Sequence, residues 1–170
     1  MRLTKKQVKG VLNVLKTQVK GRPVLSNLII DYMDNEVRLG FTNSYIVGSW
    51  KLTGCDGLIG KGITYESLEI WYKLSKPNAV IDDLWIMANA VMIEGEDVYP
   101  KLDRYVPVNK PDVPLARLAI NAEYLNTLQT IAGGYIQMYF GGELSAILCE
   151  CDDFLGVILP VRIEPSRWTK

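Results

Sequence analysis

The sequence contains no histidine, the side chain that most often serves as general base and as metal ligand near neutral pH. Its three cysteines, Cys55, Cys149 and Cys151, form no C-x-x-C arrangement, which excludes a zinc site of the usual Cys/His kind. An odd cysteine count in 170 residues fits a reducing cytoplasm rather than a disulfide scaffold. Cys149 and Cys151 stand two apart, on one face if the segment is a strand, where free thiols serve as small apolar filler. No apolar run approaches the roughly 20 residues that cross a bilayer. Lys5, Lys6 and Lys9 also stand where a signal peptide needs its hydrophobic segment. The expectation is a cytoplasmic protein with no membrane partner.

Acidic side chains are missing from one stretch in particular. Residues 1–22 hold Arg2, Lys5, Lys6, Lys9, Lys16, Lys20 and Arg22 without a single Asp or Glu. The whole chain carries 19 basic and 19 acidic residues, so setting these seven aside leaves 12 against 19, a balance of −7. A basic element on an otherwise acidic protein points to a polyanionic partner.

With 48% hydrophobic residues, the chain can bury a substantial core. Val8, Val11, Leu12, Leu15 and Val19 recur at the spacing of one helical face, which predicts a helix over 5–20, capped by Thr4 and stopped by Gly21. A short strand over 1–3 precedes it, and strands over 25–32, 36–42 and 44–52 follow, with turns at Asp34-Asn35 and Thr42-Asn43. After a glycine-rich joint at 54–62 the order returns: a strand over 62–64, a helix over 65–75 ending before Pro77, and strands over 80–87 and 90–94. Residues 106–114, with Pro107, Pro111 and Pro114, make a connector. A third round begins with a strand over 115–120. Asn121 then caps a helix through 132, Gly133-Gly134 stops it, and strands over 135–140, 144–151 and 155–163 complete the set. The fold class is α+β: repeated β-α-β-β-β units with helices on one face of antiparallel sheets. Units over 1–53 and 54–110 form a first domain, 1–110, and residues 111–170 hold a third unit with a C-terminal tail.

Without histidine, carboxylate or lysine chemistry is what remains for catalysis. The acidic clusters Asp82-Asp83, Glu94/Glu96-Asp97 and Asp152-Asp153 fall in or near turns, and a two-metal site would need them brought together. The stretch 54–62 fails the phosphate-loop spacing, because Ile59 stands where Gly is needed and Gly62 replaces the hydroxyl residue. No catalytic residue, metal ligand or cofactor is assigned, and the expectation is a protein that is not an enzyme.

Four segments carry a resemblance. They are Gly156-Val157-Ile158-Leu159-Pro160-Val161-Arg162-Ile163, Ile120-Asn121-Ala122-Glu123-Tyr124-Leu125, Arg22-Pro23-Val24-Leu25-Ser26-Asn27-Leu28, and Gly95-Glu96-Asp97-Val98-Tyr99-Pro100-Lys101-Leu102. In that order they resemble the C-terminal signature, a strand-to-helix entry, the opening unit and the close of the first domain in the bacterial sliding clamp family, the beta subunit of replicative polymerase. The chain departs from the family in length, holding fewer units than its subunits do.

The resemblance implies a DNA sliding clamp, a processivity factor that encircles duplex DNA as a ring of identical chains, a tetramer by unit counting. Polymerase and a clamp loader are the implied protein partners. At 100° per residue, Lys5, Lys9, Asn13, Lys16 and Lys20 fall within roughly 80° of arc beside the apolar stripe. With Lys6, Arg22, and Lys73 and Lys76 of the second helix, they either hold a phosphate backbone without reading its sequence or form an ordinary solvated face. Partner peptides of the family dock in an apolar pocket partly lined by the C-terminal strand, which carries over to Val157, Leu159, Pro160, Val161 and Arg162. Val157, Leu159 and Val161 read equally well as alternating core residues of a strand. The alternative function is a clamp relative that closes no ring, a monomeric processivity factor or a decoy for clamp-binding partners.

Overall fold

Helices begin where the sequence supplies an oxygen for the orphan N–H groups of a first turn. In the computed structural model, which describes residues 1–33, 35–93, 99–105, 118–142 and 145–161, strand β1 (Arg2–Thr4) ends in such a cap. The Thr4 hydroxyl accepts from the Gln7 N–H at 3.3 Å, and the Gln7 side chain accepts from the Thr4 N–H at 2.9 Å, a capping box that opens α1 (Lys5–Lys16). Thr64 caps α2 (Tyr65–Leu74), Asp82 caps α3 (Asp83–Asn89) and Asn121 caps α4 (Ala122–Ala132). Gly133, at φ 84°, ends α4 in the left-handed region that favours glycine. Expectations placed on Asp34, Glu94/Glu96-Asp97, the 106–114 connector, Arg162 and the tail beyond it lie outside the described residues.

The first helix stops earlier than its apolar stripe predicts. The Thr17 hydroxyl donates to the Val14 carbonyl at 2.7 Å, and the Gln18 N–H turns back to Leu15 at 2.9 Å. This local competition with the helical ladder ends α1 at Lys16, leaving Lys20 in the following turn.

The larger correction concerns the second round. The strand expected over 80–87 is only β6 (Val80–Asp82), and α3 follows directly because the Asp82 carboxylate accepts from the Trp85 N–H at 2.9 Å. The strand expected over 90–94 shrinks to β7 (Val91–Met92), and that expected over 62–64 is β5 (Lys61–Ile63). Residues 118–120 are not in a strand. The outer rounds keep three strands each: β2 (Leu28–Met33), β3 (Glu36–Thr42) and β4 (Ile46–Lys51) in the first, and β8 (Gln137–Tyr139), β9 (Ile147–Cys151) and β10 (Phe154–Ile158) in the last.

Those two rounds share one sheet. Its order is β7-β5-β2-β3-β4-β10-β9-β8, while β1 and β6 form a separate pair. The sheet therefore crosses the division drawn at residue 110. At the β4–β10 seam Gly48 pairs with Gly156, with Ile46 opposite Ile158 and Trp50 opposite Phe154. An antiparallel pair has a local twofold axis at its centre, and the seam sets the first and last rounds about it.

Both faces of the sheet are covered. Leu39, Phe41, Ile46, Trp50, Phe154 and Ile158 face the helices, where α1 packs against both α4 and α2. On the other face Ile29, Met33, Val47, Leu148, Leu155 and Val157 pack with Leu102. Glycine at the seam is a steric requirement, since a Cβ on Gly48 would sit 2.4 Å from Phe41 Cζ and one on Gly156 2.9 Å from Phe154 Cε1. The Cys149 thiol is wholly buried there, and burial pushes it up to about 12.

Two outcomes follow. Gly48→Ala lowers stability in urea unfolding by about 1–3 kcal/mol through overpacking, whereas Gly57→Ala, whose Cβ meets open space, changes it by less than about 0.5 kcal/mol. For Cys149, the folded state holds its thiol proton above the ordinary value of 9.0, so this contribution to stability is present below pH 9 and lost as pH rises toward about 12. Iodoacetamide at about pH 8.5 should accordingly modify half-buried Cys151 in the native protein and reach buried Cys55 and Cys149 only after unfolding, as read by mass spectrometry.

Candidate nucleic-acid and peptide interfaces

Because α1 is the middle helix of its layer, its flanks are consumed by packing and only one ridge faces solvent. Lys6, Lys9, Asn13 and Lys16 make that ridge, at successive spacings of three, four and three residues, and all four are exposed. Lys20 and Arg22 are exposed in the turn beyond, where the Arg22 guanidinium donates to the Ser44 hydroxyl at 3.2 Å. Near the start of α1 an open groove of about 600 Å³ runs between α1 and α4, lined by Thr4, Lys6, Asn126, Gln129 and Tyr135. The groove is polar and carries no acid.

Lys5 belongs elsewhere. Its ammonium donates to the Ser75 carbonyl at 2.6 Å and lies 5.1 Å from the centre of the Tyr72 ring. It thus satisfies a carbonyl at the C-terminal end of α2, where a cation also complements the helix dipole. Lys73 is paired with Glu69 at 2.8 Å one turn away on α2, and that contact holds the Glu69 carboxyl below its usual range. Lys76 is exposed just past the helix. The ridge therefore contains Lys6 rather than Lys5, and α2 adds less free cationic character than its two lysines suggest.

Gln7 fixes the angle between the groove walls. Its side-chain N–H groups donate to the Ile131 and Ala132 carbonyls at 2.9 and 3.1 Å, while its oxygen serves the Thr4 cap. One buried amide thereby joins the first turn of α1 to the last turn of α4.

The C-terminal segment divides. Val157 is completely buried, paired with Val47 and Leu148 across the sheet, and offers nothing to solvent. Leu159 and Val161 are 37% and 42% exposed, Pro160 is half-buried, and Arg162 lies outside the described residues. The Leu159 N–H donates to the Tyr45 carbonyl at 3.0 Å and the Val161 N–H to Ala119 at 2.9 Å. Tyr45, 57% exposed, stacks on Tyr124 of α4 with centroids 5.6 Å apart. Beside the same turn, a cavity of about 350 Å³ is lined by Arg22, Val24, Leu25, Thr42, Pro100 and Tyr105. Sequence patterning did not single out Tyr45 or this cavity. The available signal was Asn43, whose side chain accepts from the Tyr45 and Ile46 N–H groups and shapes the turn.

Among the described residues no cluster of His, Cys, Asp and Glu could hold a metal ion, and no helix is long and apolar enough to cross a membrane. Replacing Lys5 with Met should cost about 1–2 kcal/mol by loss of a charge-assisted hydrogen bond, while Lys9→Met and Lys16→Met each change stability by less than about 0.5 kcal/mol. Equal costs in thermal unfolding would place all three lysines in one structural role.

No protein-family model matches the chain, and no curated protein matches it. Solved structures do. The DNA polymerase sliding clamp of Bacillus subtilis superposes with a TM-score of 0.58 at 12% identity, over 96% of this chain and 64% of the clamp. DNA polymerase III subunit beta of Borrelia burgdorferi, in complex with a natural product, gives the same values. The sliding clamp of Bartonella birtlesii, bound to griselimycin, gives 0.56 at 13% identity, over 96% of this chain and 66% of that one. The chain thus spans less than two thirds of the length of the Bacillus and Borrelia clamps. At identities this low the likeness establishes architecture alone: the chain has the fold of the bacterial DNA sliding clamps.

Proposed function

We propose that the protein is a sliding clamp, a non-enzymatic processivity factor that surrounds duplex DNA as a homo-oligomeric ring in the cytoplasm and docks a polymerase. The observation that carries this is the exposed ridge Lys6, Lys9, Asn13 and Lys16 on the helix layer of a clamp fold, in a segment of 22 residues without one acid. Lysine suits such work, because a compact charge on a flexible stem neutralises phosphates without bidentate base geometry. Binding of that kind is sequence-independent, salt-sensitive and able to slide.

The docking site we propose for a polymerase segment joins exposed Leu159 and Val161, with Tyr45 and Tyr124 beside them, to the cavity next to the 42–45 turn. A lining that mixes Val24, Leu25, Pro100 and Tyr105 with the Thr42 and Ser44 hydroxyls and one cation, Arg22, suits a short peptide with an apolar side chain and a polar main chain. Val157 would support the site from beneath. A clamp loader belongs to the same proposal. The four copies expected from unit counting presuppose three equal units. Among the described residues the middle segment contributes two strands to the eight-stranded sheet against three from each outer segment, so mass in solution decides the copy number.

The quadruple variant Lys6→Glu, Lys9→Glu, Lys16→Glu and Lys20→Glu should bind duplex DNA at least about 100-fold more weakly at low salt and flatten the log–log salt dependence by about three to four units. Its circular dichroism and mass in solution should be unchanged. Unaltered affinity would assign the ridge to solubility alone. A closed ring also holds circular DNA longer than linear DNA, which it leaves by the ends. Equal lifetimes on the two would favour a clamp relative that closes no ring.

A further inference from the structure

The turn after α4 holds an aromatic ring out in solvent. Tyr135 is 96% exposed, the highest value among the exposed large hydrophobic residues described, and no ring contact or hydrogen bond with another described residue engages its side chain. The turn beneath it is fixed on two sides. Gly133 passes so close to α1 that a Cβ there would sit 2.8 Å from Gln7 Nε2, and a Cβ on Gly134 would sit 3.1 Å from Cys151 Sγ. Gln7 holds the last carbonyls of α4 from one side, and Cys151 of β9 lies against the turn from the other. The chain then enters β8 at Gln137, paired with Glu150. A tyrosine presented on a turn so seated loses little conformational freedom on contact, which makes it an efficient anchor.

What surrounds the ring decides its partner. On one side lies the α1–α4 groove, where Lys6, Asn126, Gln129 and Thr130 have no hydrogen-bond partner for their side chains among the described residues. Two amides and a hydroxyl offer donors and acceptors together, and the ammonium offers positive charge. Lys6 also belongs to the exposed ridge, so the groove opens onto it. On its other side the ring borders a depression that runs toward β3, where Glu36, Glu150 and Asp152 outnumber Arg38. Tyr135 thus stands between an acid-free groove and an acidic hollow. A protein partner would need several apolar side chains to desolvate together, and the tyrosine ring is the only large apolar body in the groove lining. The bases of a duplex offer no open face, because their neighbours cover them. An unpaired nucleotide needs one face to stack on, polar groups for the edge of its base and a cation for its phosphate.

We infer that the α1–α4 groove, with Tyr135 at its rim, binds unpaired nucleotides of single-stranded DNA. One base stacks on the tyrosine ring, its edge meets the Asn126 and Gln129 amides, and its phosphate lies toward Lys6. The strand keeps to the α1 side of the ring, because on the other side its phosphates would face carboxylates. The inference deepens the DNA-binding proposal by adding a second form of the polymer, and it is carried by a residue that takes no part in the duplex ridge.

Fluorescence anisotropy of the full chain at low salt, with a labelled oligothymidylate and separately with a duplex of the same length, tests it. Tyr135→Ala should weaken single-strand binding by about 5- to 150-fold, the range for removing one base–aromatic stack, and leave duplex binding unchanged. Tyr135→Phe keeps the ring and should bind as wild type does. Both changes fall at an exposed position, so the circular dichroism spectrum should not move. With 5-iodouracil in place of thymine, irradiation should put the main adduct on Tyr135, as read by mass spectrometry of the digest. The inference is overturned if wild type has no single-strand affinity, which would give the ring to a protein contact, or if Tyr135→Ala binds the strand as wild type does. It is equally overturned if strand and duplex weaken alike, if Tyr135→Phe fails together with Tyr135→Ala, or if the adducts lie only on other elements. The ridge is read separately through Lys9→Glu with Lys16→Glu: undiminished duplex affinity in that variant sinks the ridge, and the groove stands as long as Tyr135→Ala loses the strand.

Discussion

The antiparallel seam between β4 and β10 is the constraint on which the remaining architecture rests. It joins residues more than a hundred positions apart, with Gly48 against Gly156 at its centre. Because neither carries a Cβ, Phe41, Trp50 and Phe154 can pack over it, with Phe41–Trp50 and Trp50–Phe154 centroids 5.7 and 5.5 Å apart. The same seam brings α4 beside α1, where the Gln7 amide ties them, and carries Leu159 to Tyr45. A helix layer with a cationic ridge and an exposed apolar surface at Leu159 and Tyr45 are thus both products of one strand pairing.

Local chemistry was legible in the sequence and long-range chemistry was not. Thr4, Asn121 and Gly133 announce helix ends because a cap involves residues three or four apart. The bounds of β3 were readable because its turns flank it directly. By contrast, Leu84, Trp85, Ile86 and Met87 form an apolar run that fits either period, and only the Asp82 carboxylate decides for a short helix. Lys5 joined the row in projection because its spacing is right, yet its partner carbonyl at Ser75 is 70 residues away. The family signature located the C-terminal segment, but the first round supplies the opposing surface, and only the seam places the two together.

Burial sorts the charges as well as the apolar residues. The sheet is packed on both faces, so its buried polar residues are held by one another: Arg38 reaches Glu36, the Ser49 hydroxyl and the Asp153 carbonyl. The helix layer has one outward face, and the first helix places lysine there while its acids are absent altogether. This asymmetry explains how a chain of zero net charge can present a field to a polyanion.

The seam also dictates when the molecule can acquire its shape. Since the last strand pair supplies the neighbour of β4, the β4 edge of the first round stays unpaired on the ribosome until nearly all of the described chain has emerged. Architectures dominated by such distant pairings close slowly, and their half-built forms expose sticky strand borders. In a protein of this design the edge that later makes the sheet continuous is the one exposed longest before the chain is whole.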